Sequence, residues 1–184
     1  MSGTGQRGLA FECLPVQIED KRRRHIEIRA YEAADFEALQ AMYGTFEPKG
    51  LECGLPPPND QVRLRWLHYV VSELFNVLAL HKGLVIGHCA LDLTGGSLCP
   101  EYLIFIRKGF RNVGIGTALS AVVKRVAEEA GCEKIVLTVR TANRRAINVF
   151  EKVGFAFCSG IEPCRDMELE VKPGKAGRGK RGRK

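Results

Sequence analysis

What the chain lacks narrows the field first. No stretch of its 184 residues approaches the ~18 consecutive apolar positions that span a bilayer, so no membrane-crossing helix is expected. The first 24 residues carry Glu12, Glu19 and Asp20 and no apolar core segment, so they do not read as a secretory leader. The seven cysteines, at 13, 53, 89, 99, 132, 158 and 164, are odd in number, irregularly spaced and without a CxxC pair. Neither a zinc or other metal site nor a disulfide framework is therefore expected. Free thiols in a cytoplasmic protein are the expectation. Acids are missing from the last thirteen residues, which hold seven Lys and Arg. Removing those seven leaves 21 basic and 21 acidic residues, so the net charge of +7 belongs to the tail. That tail excludes little about the fold.

A hydrophobic content of 45% fits one globular domain and excludes disorder of the bulk, and the composition excludes collagen-like and coiled-coil classes. Residues 1–24, with Gly3, Gly5, Gly8 and the run Lys21–Arg24, read as a flexible lead-in. Ile26 and Ile28 then alternate with polar residues, as in a half-buried strand. Asp35–Met42 reads as a short helix. A loop rich in Pro and Gly follows, through Pro58. Asn59 or Asp60 can cap a helix reaching about Leu74. Asn76–His81 and Leu84–Leu93 form a hairpin around Lys82-Gly83. Tyr102–Ile106 is continuously apolar, as expected of a strand buried on both faces. Ile115, Leu119, Val122 and Val126 make one stripe of a helix over 114–130, ended by Gly131. A strand at Lys134–Val139, a helix at Asn143–Val153 and late strands at Phe155–Cys158 and Met167–Val171 complete a mixed α/β order. The domain is thus placed at 25–171, with a disordered basic tail at 172–184.

The segment richest in chemistry is Arg111-Asn112-Val113-Gly114-Ile115-Gly116-Thr117, between a buried strand and an amphipathic helix. Two glycines allow close approach to a ligand, and the first helical N–H groups have no internal acceptor. The helix dipole also favours an anion there. Arg111 adds a charge able to grip phosphate oxygens. A pyrophosphate site is expected. A Walker loop is disfavoured because Thr117-Ala118 follows Gly116. The dinucleotide fingerprint is disfavoured by Leu119 and by the seven residues between strand and helix.

The pattern Arg-x-x-Gly-x-Gly resembles the acyl-CoA loop of the GNAT superfamily of N-acetyltransferases. A second stretch, Asn143-Arg144-Arg145-Ala146-Ile147-Asn148-Val149-Phe150-Glu151-Lys152-Val153-Gly154-Phe155, is similar to that family's Asn-x-x-Ala-x-x-Leu-Tyr-Glu-Lys-x-Gly-Phe signature. The two are separated by one strand, as in the family, and the resemblance covers about four-fifths of the chain. It implies a mostly antiparallel sheet splayed between its fourth strand (Tyr102–Arg107) and its fifth (Lys134–Val139), flanked by about four helices. It also implies acetyl-CoA as acyl donor. The pantetheine arm would pair with backbone groups around Phe105, Ile106 and Arg107. Backbone amides of the 112–117 loop, those of Val113, Gly114, Gly116 and Thr117 foremost, would hold the pyrophosphate together with Arg111, and Asn143 would lie beside the arm or cap its helix.

An amine acceptor needs a base, and an oxyanion needs a donor. Glu101, at the start of the fourth strand, where the resemblance implies a catalytic glutamate as in several members of the family, is the first choice for base. His88, Asp92 and Glu73 are weaker ones. The family's acid tyrosine is matched by Phe150, which cannot donate a proton. Thiolate departure, Tyr102 or water would then serve. The resemblance also implies that the segment between the first strand and the second helix shapes the acceptor side; here it holds Tyr43, Phe46, Glu47, Lys49 and the Pro-rich stretch 48–58, with Glu47 and Glu52 as charges that could attract a cation. The expected activity is transfer of an acetyl group to a primary amine: a protein lysine, a protein N-terminus or a small amine. The alternatives are a CoA-ester binder without efficient transfer, or a nucleic-acid- or ribosome-associated protein. In the latter the basic tail would supply salt-dependent, sequence-independent contacts; it lacks aromatics for base stacking. A monomer or homodimer fits equally.

Overall fold

Among the described residues the chain forms two sheets and four α-helices, most of them from the periodicities above. The computed structural model describes residues 10–50, 54–159 and 163–174. Strands β1 (Val16–Glu19), β2 (His25–Ala30), β3 (Phe75–His81), β4 (Leu84–Leu91) and β5 (Tyr102–Ile106) form one antiparallel sheet in sequential order. A second, three-stranded sheet has the order β6 (Lys134–Arg140), β8 (Cys164–Glu170), β7 (Ala156–Ser159). The helices are α1 (Phe36–Gly44), α2 (Asp60–Glu73), α3 (Ile115–Ala130) and α4 (Arg144–Val153). None is long and apolar enough to cross a membrane, among the described residues.

The helix ends follow local chemistry. Asn59 accepts hydrogen bonds from the Gln61 and Val62 amides, both at 3.0 Å, and so caps α2. Gly131 (φ 80°) and Gly154 (φ 109°) take the left-handed conformation that closes α3 and α4. The central strands bury both faces. Val77, Ala79, Ile86 and Cys89 pack toward α3, with Leu119, Val123 and Val126, whereas Leu78, Leu80 and Val85 pack toward α1 and α2, with Leu39, Met42 and Leu67. On β5, Tyr102, Ile104 and Ile106 join the first group, and Leu103 and Phe105 the second. Each fully buried aliphatic side chain of the α3 stripe contributes about 1.5–3 kcal/mol, which fixes the face that α3 turns to the sheet.

Three features depart from the expected layout. β1 lies inside the stretch read as a lead-in and pairs with β2 from Val16↔Ile28 to Glu19↔His25. The lead-in continues into the core, where Cys13 is buried and the Glu12 and Cys13 amides bind the Glu129 carboxylate. At the other end, Gly174 N–H still donates to the Glu128 carbonyl at 2.7 Å. The basic tail beyond it lies outside the described residues. Cys13, Cys89, Cys99, Cys132 and Cys158 are free thiols, but Cys164 is disulfide-bonded, against the expectation of free thiols throughout.

Candidate active site

β5 and β6 run side by side only at one end. There Glu133 and Lys134 N–H donate to the Leu98 carbonyl, Val136 N–H donates to the Pro100 carbonyl at 3.0 Å, and Glu101 and Val136 make an isolated parallel bridge. Past that point the two strands belong to separate sheets, so a wedge opens between them. Backbone parity decides what faces the wedge. Arg107 N–H donates to Ile86 O at 2.8 Å, and Glu101 O accepts from Asp92 N–H at 3.0 Å, both toward the β4 side. Pairing directions alternate along a strand, so Leu103 and Phe105 also face β4, while Ile104 and Ile106 turn their N–H and C=O into the wedge. Of the three strand positions named from sequence, only Ile106 presents its backbone there. Phe105 uses its groups within the sheet, Arg107 gives its N–H to Ile86 O and its C=O to Phe110 N–H in the following turn, and Ile104 is the position that the sequence did not reveal.

At the open end of the wedge stands the start of α3. Its first internal bond is Ala118 N–H to Gly114 O at 3.0 Å, so the amides of Ile115, Gly116 and Thr117 precede any helical acceptor. Gly114 has φ 97°, and a Cβ placed on it would point into open space. Asn112 is also left-handed, at φ 63°. Val113 is buried, and its carbonyl accepts from Lys21 N–H at 3.0 Å, which ties the β1–β2 turn to this loop. A backbone turned by two left-handed residues, with three donors that no described residue claims, fits a diphosphate.

Arg111 lies at the same end but does not project freely. Its Nε donates to Ile106 O at 2.7 Å and its Nη2 to Glu47 O, and its guanidinium lies 5.1 Å from the Phe46 ring centre. Burial first, and then the charge of Arg145, lower its pKa. The loop that it reaches packs on the opposite face of β5. Phe46, Pro56 and Pro57 are buried, Gly50 N–H donates to Pro56 O, and Gly54 sits against Leu103. Arg63, itself buried, anchors the far end by donating to Pro57 O and Pro58 O. Glu47 pairs with Lys49 at 3.2 Å, which offsets the charge suggested as a cation lure; Glu52 lies outside the described residues.

Glu101 is exposed at the closed end of the wedge. Tyr102 points the other way. It is buried, its hydroxyl is 2.9 Å from Ser120 Oγ on α3, and burial pushes its pKa well up. Phe150 and Phe155 pack around it, with ring centres 6.4 and 6.2 Å away. Asn143 caps α4 by accepting from Ala146 N–H at 3.3 Å. Asp92 is engaged by Thr94, through both its amide and hydroxyl. His88 is fully buried. Asn76 Nδ2 donates to the Val70 and Leu74 carbonyls, so its Oδ1 accepts from His88 Nε2, and His88 Nδ1 accepts from Tyr43 O–H at 2.6 Å. Burial lowers the His88 pKa to about 3, so the ring is neutral and structural.

The arrangement has counterparts. The family model described as "Acetyltransferase (GNAT) family" matches residues 36–155. An N-alpha-acetyltransferase of Sulfurisphaera tokodaii is 42% identical over 53 residues, 28% of this chain and 32% of that protein; the match thus spans about a third of its length. The GNAT domain of S. lividans PAT superposes with a TM-score of 0.74 at 17% identity, over 89% of this chain and 100% of that one. The structure of yncA from Salmonella typhimurium with its cofactor acetyl-CoA gives 0.61 at 15% identity, over 84% of this chain and 98% of that one. Both likenesses show the fold.

Proposed function

Because the chain belongs to the GNAT acetyltransferase family, we propose that it transfers the acetyl group of acetyl-CoA to a primary amine, a protein N-terminus being the favoured acceptor class. The observation that carries this reading is the meeting of two sets of backbone groups: those that Ile104 and Ile106 turn into the wedge, where Arg111 engages Ile106 O, and the first amides of α3 at its mouth, which no described residue engages. A linear ligand with amides in its arm and a diphosphate at its end matches both. The local match to an N-alpha-acetyltransferase favours an α-amine over a lysine.

The thioester supplies an activated acyl carbon and a leaving thiolate. Ile104 and Ile106 hold the arm as another strand would. The amides of Ile115, Gly116 and Thr117 hold the diphosphate. Glu101, exposed at the closed end of the wedge, would take the proton of the incoming ammonium, directly or through one water. Phe150 has no proton to give, and the Tyr102 hydroxyl is bound to Ser120 inside the core. The chain therefore needs no side-chain acid, because a thiol pKa near ~8.5 lets the thiolate depart.

Two peptides test the acceptor class: one with a free N-terminus and no lysine, one blocked at the N-terminus and carrying lysine. Intact mass should show one acetyl added to the first only. Glu101→Gln should lower that turnover about 100-fold or more, with the acetyl-CoA affinity kept within about twofold. Unchanged turnover removes Glu101 from the mechanism. Modification of the lysine peptide alone reverses the acceptor assignment.

A further inference from the structure

Among the described residues, Arg111 is a cation without an anion. The acceptors it engages are two neutral carbonyls, Ile106 O and Glu47 O, beside one aromatic face, and the charge that acts on it is the like charge of Arg145. A half-buried guanidinium held only by neutral groups is poised for a better partner. The amides of Ile115, Gly116 and Thr117, a few residues on, are also unclaimed. Yet the side chain is turned to the loop on the other face of β5. It occupies Ile106 O, one of the groups that open into the wedge. It also grips the carbonyl next to Phe46, whose ring is buried edge-on against Phe105 at 5.4 Å. Beyond Glu47, Lys49 Nζ donates to Gly44 O and Gly50 N–H to Pro56 O, so the loop that Arg111 grips at Glu47 is closed on itself.

We propose that Arg111 is a positioning residue that couples the two halves of the site. In the unliganded chain it pins residues 46–50 against β5. The cofactor diphosphate draws it away, which frees Ile106 O for the arm and releases the loop to shape the acceptor side. The inference rests on the acyl-CoA reading of the wedge. A diphosphate offers the guanidinium a countercharge and a bidentate geometry that a neutral carbonyl lacks, so the exchange runs toward the anion.

Hydrogen exchange on the full chain, with and without saturating coenzyme A, tests this, with the emission of Trp66 as a second readout. Trp66 is the sole tryptophan and lies 6.0 Å from the Phe105 ring and 5.2 Å from Tyr43. In the wild type, coenzyme A should raise exchange at the Phe46 and Gly50 amides by about fivefold or more and should shift the Trp66 emission. Arg111→Gln should exchange fast at both amides already and show no further change on adding coenzyme A. If coenzyme A binds with measurable heat while wild-type exchange and emission stay fixed or fall, the coupling is overturned and the acyl-CoA reading stands. If no heat is seen, both fall. If Arg111→Gln protects the loop as the wild type does, Arg111 does not hold it and the proposal is overturned.

Discussion

Replacing Gly114 and Gly116 one at a time by alanine separates what the fold needs from what the ligand needs. Gly114 sits at φ 97°, where a Cβ meets nothing within 4 Å but the backbone conformation is left-handed. An L-residue there costs roughly 1–2 kcal/mol, which for a domain of this size lowers Tm by about 2–8 °C. Gly116 is in ordinary helical conformation, and its Cβ would touch Val149 at 3.6 Å and Ile106 at 3.9 Å. Alanine there is accommodated, and helix propensity adds up to about 1 kcal/mol, so Tm stays or rises slightly. Both methyl groups crowd the backbone that should meet the diphosphate. Loss of one charge-assisted hydrogen bond, about 1.5–3 kcal/mol, weakens acetyl-CoA binding about 10- to 100-fold. Differential scanning calorimetry and titration calorimetry on both variants read the two effects apart. Undiminished acetyl-CoA affinity in both variants would refute the cradle, and an unchanged Tm for Gly114→Ala would refute the strained cap.

The buried polar groups give two further predictions. His88, with its pKa lowered to about 3 from 6.5, is neutral in the fold and takes up a proton once unfolded, so its contribution is complete above pH 6.5 and is lost as pH falls from 6.5 toward 3. Chemical denaturation should show stability declining by up to about 1.4 kcal/mol per pH unit across that window, with a visibly flatter slope for His88→Gln; equal slopes between pH 4.5 and 6.5 would contradict the assignment. Ser120→Ala leaves the Tyr102 hydroxyl without its partner and should destabilise by about 1–3 kcal/mol, whereas Tyr102→Phe combined with Ser120→Ala should recover part of that loss. Melting curves of the single and double variants decide this, and no recovery in the double variant counts against the isolated pair.

Much of the layout was legible because periodicity and end signals agree. The α3 stripe and the glycines at 131 and 154 place helices α3 and α4 to within a residue or two. The two signature stretches pointed to the right family and to the place where the sheet splits. β1 was missed because Val16-Gln17-Ile18-Glu19 is only four residues long and sits among basic and glycine-rich neighbours that read as a lead-in. The parity of β5 was not legible either. A run apolar at every position carries no alternation, so Phe105 and Arg107 could not be told from Ile104 and Ile106 before the pairing with β4 was known. Arg111 was read as a free phosphate ligand because its bond to Glu47 joins residues 64 apart in sequence. Tyr102 looked available beside Glu101, but adjacent strand residues face opposite sides, and its hydroxyl went to α3.

The central claim is that backbone groups of one wedge and one helix start hold acetyl-CoA. Amide chemical-shift mapping of isotope-labelled protein titrated with acetyl-CoA tests it most directly. The account predicts saturable shifts concentrated at Ile104, Ile106 and Ile115–Thr117, with the largest at the α3 start. Saturable binding whose shifts fall elsewhere, or no shifts at all, would contradict it.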